Sequence, residues 1–88
     1  MEEKRLVAKT LSDSEESLYN NSAGVIVKTI LLHNSNSEEK EVTLKLDSVT
    51  FLFTLNSKET KILSTPIVTN SIVAKGSAIN IHISGIQL

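Results

Sequence analysis

Cysteine is absent from the chain, which excludes a disulfide framework and every Cys-based zinc site. Aromatic residues are almost as scarce, with two Phe, one Tyr and no Trp. Platforms that stack sugar rings or unpaired bases need exposed aromatic side chains, so this composition offers them little. No charge of one sign dominates: nine Lys and Arg stand against ten Asp and Glu, a formal net charge of −1. A nucleic-acid binder of this size would carry a basic excess to neutralise phosphates. Long hydrophobic runs are also missing. "TILL" is among the longest and falls far short of the roughly 20 residues of a membrane-spanning helix. The N-terminus, "MEEKRLVAKTL", has neither a continuous apolar segment nor a small-residue cleavage site, so no signal peptide is expected. Without one, the sequon Asn20-Asn21-Ser22 reads as chance. The expectation is a complete small reading frame, soluble and made in a cytoplasm.

Helix formers are thin too. Ala occurs four times in 88 residues, and no window carries apolar residues at i, i+3, i+4 and i+7 over three turns. What is present in quantity is β-branched: Val, Ile and Thr make up 24 residues, in runs split by clusters of Ser, Asn and Gly. That pattern predicts many short strands. They are expected at about Arg5–Leu11, Ser17–Asn20, Val25–His33, Lys40–Leu46, Val49–Leu55, Thr60–Leu63, Ile72–Ala74 and Ala78–Ser84. "NNSAG" is expected to reverse the chain, "TNS" to precede the seventh strand, and Pro66 to mark an edge or break, with Ile67 and Val68 continuing after it. The fold class is therefore all-β. Residues 1–88 form a single-domain β-sandwich or jelly-roll-like barrel of seven to eight short antiparallel strands.

Strand periodicity assigns the faces. Val42, Leu44 and Leu46, then Val49, Phe51, Phe53 and Leu55, then Ile79, Ile81 and Ile83 are expected in the core. "VIVKTILLH" resists strict alternation, because that would bury Lys28 beside Ile26, Ile30 and Leu32. An unpaired buried ammonium is too costly. A β-bulge near Lys28-Thr29 resolves the conflict: Val25, Val27, Ile30 and Leu32 then point inward, and Ile26, Lys28, Thr29, Leu31 and His33 outward. Ile26 and Leu31 are left outside, as is Leu52 between the two inward Phe residues. Such residues are either ordinary scattered surface side chains or parts of a subunit interface.

Catalytic chemistry finds few candidates. The histidines, His33 and His82, have no His, Asp or Glu two or four residues away along their strands, so no metal pair forms. Both are expected to face solvent. The acidic residues sit in turns and at strand ends. Gly24, Gly76 and Gly85 are isolated and build no phosphate-cradling loop; Gly85 after Ser84 is expected to supply a bulge or a positive φ. Tyr19 is expected to pack against "NNSAG". No catalytic residue, cofactor or metal ligand is assigned, and no enzyme activity is expected.

Five segments, "LYNNSAG", "IVKTILLHN", "VTLKL", "KETKILSTPIV" and "INIHISGIQL", together resemble small β-sandwich structural and accessory proteins of tailed bacteriophages. Those proteins show a leucine-tyrosine pair, alanine-glycine, a long apolar strand ending in asparagine, an alternating strand, and a serine-glycine before a last apolar pair. The likeness runs from about Lys9 to Leu88. It departs where the family's glycine-aspartate turn is replaced by "TNS". The resemblance implies a non-enzymatic component of the tail or baseplate, made in the bacterial host cytoplasm and associated with the virion, with no catalytic residues to carry over. A carbohydrate- or receptor-binding module is the alternative.

A chain this short buries only roughly 60–65% of its unfolded surface, and no covalent or metal staple is in sight. Self-association is the remaining aid. A homo-oligomer is expected, with Ile26, Leu31 and Leu52 at its interface, other virion proteins as further partners, and neither nucleic acid nor membrane. Chelators and reductants are expected to leave the melting temperature unchanged. A drop on adding chelator, read by circular dichroism, would reveal a metal site that the spacing does not show.

Overall fold

A computed structural model describes residues 2–64 and 66–88; Met1 and Thr65 lie outside them. The described residues form seven strands and no helix: β1 (Lys4–Thr10), β2 (Glu16–Asn34), β3 (Lys40–Leu46), β4 (Val49–Leu55), β5 (Thr60–Leu63), β6 (Ile67–Lys75) and β7 (Ile79–Gln87). All pair antiparallel, in the order β1-β7-β2-β6-β3-β4, with β5 on β2.

The 19-residue β2 organises the rest. Straight, it would reach about 60 Å at ~3.3 Å per residue, yet the longest dimension of the molecule is 39 Å. It must bend, and the register shows where. Asn20 pairs Ser71 and Val25 pairs Thr69, so residues 21–24 bulge out of the β6 ladder. Val27 pairs Gly85 and Thr29 pairs Ser84, which leaves Lys28 as one extra residue. The N-terminal half of β2 joins β6, β3 and β4 in one layer. Its C-terminal half joins β7, β1 and β5 in the other. Val25, Ile26 and Val27 are paired on both edges, to β6 and to β7. The sheet thus folds over along β2 into a two-layer sandwich.

The bulge expected from the cost of burying Lys28 is present. Val25, Val27, Ile30 and Leu32 are fully buried, while Ile26, Lys28, Thr29, Leu31 and His33 keep solvent contact. From the facing strands come Val42, Leu44, Leu46, Leu55, Ile72, Ala74, Ile79, Ile81 and Ile83. Tyr19, half-buried, packs against this core.

Three expectations are corrected. "NNSAG" does not reverse the chain. Its turn chemistry is real: the Ala23 N–H donates to Asn21 Oδ1 at 2.9 Å, and Gly24 has φ +89°. But the chain resumes the same direction, so two expected strands are one. "TNS" is likewise mid-strand in β6, opposite that bulge, where Asn70 Nδ2 donates to the carbonyls of Asn21 and Ser22 at 3.1 and 3.0 Å. Finally, Val49 and Phe51 are exposed and Phe53 is only half-buried. They do face inward, opposite Leu46, Leu44 and Val42. However, β4 ends its layer, and the short β5 opposite does not reach across to cover it.

Gly85 sits where β7 crosses the Lys28 bulge. A Cβ there would stand 2.2 Å from the Ile26 carbonyl oxygen and 3.0 Å from Val27 Cα, both backbone atoms with no rotamer to yield. Its φ is not positive, so close approach is what requires glycine. Gly85→Ala is expected to unfold the domain or cost more than the ~1–3 kcal/mol of ordinary overpacking. Gly24→Ala, whose Cβ meets nothing closer than 3.7 Å, is expected to lose only the ~1–2 kcal/mol of a left-handed backbone. Urea denaturation of both variants checks the contrast.

Candidate interaction surfaces

Both histidines lie on the outer face of the β7–β2–β5 layer. His33 pairs Thr60 and Asn80, and Leu31 pairs Ile62 and His82. Leu31, His33, Thr60, Asn80, Ile81 and His82 border a shallow depression of about 230 Å³. His33 Nδ1 shares a 2.8 Å hydrogen bond with Thr60 Oγ1. A hydroxyl–imidazole pair becomes a nucleophile–base pair when a third group orients the ring. Among the described residues no carboxylate hydrogen-bonds to His33. Nor do they contain a group of three or more His, Cys, Asp or Glu side chains able to hold a metal ion.

The second concavity is an apolar cleft of about 250 Å³ between the layers, lined by Ile30, Leu44, Leu46, Phe51, Phe53, Leu63 and Ile67. It is the inner face of β4 left open by the short β5. Phe51, at its mouth, is 45% exposed.

Ile26, Leu31 and Leu52 do not form one patch. Ile26 is half-buried, flanked in register by Val68 and Ile86. Leu31 is flanked by Ile62 and His82. Leu52, 62% exposed, is on the outer face of β4 beside Thr43, with Lys75 beyond it. Sequence periodicity reported which side of a strand each residue takes. It could not report that β4 lies three strands from β2, nor that Phe51 and Val49 stay exposed beside Leu52.

The two ends of the sandwich carry polar networks. At one, fully buried Asn34 donates through Nδ2 to the carbonyls of Glu38, Leu55 and Asn56 at 2.9, 3.1 and 3.1 Å. Its Oδ1 accepts from the N–H and Nδ2 of Asn36 at 2.9 and 2.8 Å. One side chain thereby ties the 35–39 loop to the β4–β5 turn. At the other end, Asp47 and Ser48 take φ +52° and +67°, the mirror-image geometry of a two-residue hairpin turn. Asp47 Oδ1 accepts from the N–H groups of Asn70 and Ser71 at 2.8 and 3.3 Å. The Asn70 N–H above all holds the Asp47 carboxyl below its ordinary value.

No family model, curated protein or solved structure matches the chain.

Because the folded form lowers the Asp47 pKa, its charge stabilises the fold fully above the unfolded value of 3.8. That contribution is lost as pH falls through the folded value. Asp47→Asn keeps an acceptor and tolerates the positive φ but cannot titrate. Its stability is expected to fall less than the wild type's below about pH 4, as measured by urea midpoints across an acid series.

Proposed function

We propose that the chain is a non-enzymatic structural or accessory protein of a tailed bacteriophage, a tail or baseplate component that works as a homo-oligomer. The observation that carries this reading is the surface of β4. Of the seven large hydrophobic side chains that are exposed among the described residues, Val49, Phe51 and Leu52 lie on this one strand, beside a cleft whose described lining is apolar. Val49 and Phe51 are on the inner face and Leu52 on the outer one, so this edge strand shows water apolar side chains on both faces, and exposed apolar surface of this kind supports a protein–protein contact. The resemblance to phage β-sandwich proteins supports the setting, and other virion proteins are the natural further partners.

Phe51 gives the carbohydrate- or receptor-binding alternative one observation in its favour, since an exposed ring at a cleft mouth is where a sugar would stack. Sugar sites also need polar groups to fix hydroxyls. None of the described residues lining this cleft has a polar side chain, so apolar protein side chains suit it better.

Light scattering during gel filtration is expected to give a fixed multiple of the 9.6 kDa chain mass. Mass spectrometry of purified phage particles is expected to find the chain in multiple copies. A monomer at every accessible concentration would overturn the oligomer, and absence from the particles the virion assignment.

A further inference from the structure

Three strands, β1, β4 and β5, pair with a single neighbour among the described residues. Exposed edges invite pairing with another chain, and proteins blunt them with charge, bulges or shortness. β1 carries Lys4, Arg5 and Lys9 and a register shift between Arg5 and Val7. β5 has four residues, one of them Lys61. β4 has none of these protections: "VTFLFTL" is seven residues without charge, proline, glycine or bulge, in unbroken register with β3.

Its free backbone groups can be assigned. The two-residue turn makes Leu46 and Val49 a hydrogen-bonded pair. Alternation along an antiparallel ladder then makes Leu44–Phe51, Val42–Phe53 and Lys40–Leu55 hydrogen-bonded pairs too. The N–H and C=O of Thr50, Leu52 and Thr54 therefore point away from β3, to the open edge. The Asp47 N–H, bonded to Ser71 O at 3.3 Å, fits the same parity, since odd-numbered residues of β3 and its turn face β6.

We propose that β4 pairs antiparallel with β4 of a second copy about a twofold axis at Leu52, joining the two sandwiches through one continuous sheet. This rests on the self-association reading above and names its contact. In that register Leu52 meets Leu52 of the second copy and Thr50 meets Thr54. These are the three edge-facing residues, and each pair exchanges two backbone hydrogen bonds. A register shifted by one residue would set edge-facing groups against groups already bonded to β3. On the cleft side Phe51 meets Phe53 of the second copy in the close, non-hydrogen-bonded positions, where aromatic cross-strand pairs are favourable. Leu55 meets Val49 beyond them. The strand is near-palindromic about Leu52, with Phe, Thr and an aliphatic residue on either side, so a twofold contact there, in which residue i meets j and j meets i, sets like residues opposite one another.

The cysteine-free chain makes the test clean. Hydrogen-bonded partners in this register have Cα atoms about 5.5 Å apart, within disulfide reach. Oxidised Leu52→Cys is expected to run on a non-reducing gel at about twice the 9.6 kDa chain mass, and Thr43→Cys, one strand inward, to stay at the single-chain mass. Thr50→Lys combined with Thr54→Lys is expected to lower the mass found by light scattering while the β-sheet circular dichroism persists. If the wild type is oligomeric but Leu52→Cys does not cross-link and the lysines leave the mass unchanged, the β4 pairing is wrong and self-association uses another surface. If the wild type is monomeric, both fall.

Discussion

Everything in this sandwich depends on one strand serving two layers. β2 is too long to run straight through a molecule of this size, and it is hydrogen-bonded on both edges where the layers meet. Its bulge at Lys28 lets Val25 and Val27 face the core before the extra residue, and Ile30 and Leu32 after it, without burying an ammonium group. Gly85 lets β7 approach the backbone closely enough to pair across that irregularity. A one-residue slip on either side would turn a run of aliphatic side chains out to water, so the apolar pattern locks the bulge in place.

The ends are held by polar side chains that complete backbone valences where ladders stop. Asn34 closes one end from a buried position, with both of its amide functions satisfied, which a buried amide must achieve to be tolerated. It ends the long apolar strand β2, and its bonds to the carbonyls of Glu38, Leu55 and Asn56 explain why an asparagine suits that position. At the other end Asp47 and Asn70 do comparable work for a hairpin turn and a bulge.

The middle of the molecule is closed and one corner is open. Where β4 faces the short β5, the layers leave a cleft, and both Phe side chains border it instead of filling a sealed core. The same corner carries the unguarded sheet edge. A small domain with no staple and an open apolar corner has a ready means of gaining stability, because covering that corner with another chain buries surface that folding alone leaves wet.

Local pattern was enough for several of the elements. Alternation in "EVTLKL" and "AINIHIS" and the Lys28 conflict each depend on residues a few positions apart, and the corresponding strands and bulge are present. What local pattern misreported depended on partners distant in the chain. "NNSAG" has every feature of a turn, yet β6 holds it as a bulge because Asn70 satisfies its carbonyls from some fifty residues away. Phe51 and Phe53 alternate as core residues do and do face inward. Whether an inward face is covered depends on what lies across from it, and here that is a four-residue strand. The sequence by itself determined which side of each strand is apolar, since side-chain direction follows the backbone period. Only the tertiary structure decided which apolar sides are covered within the chain and which stay exposed, because that depends on strand order and length across the sandwich.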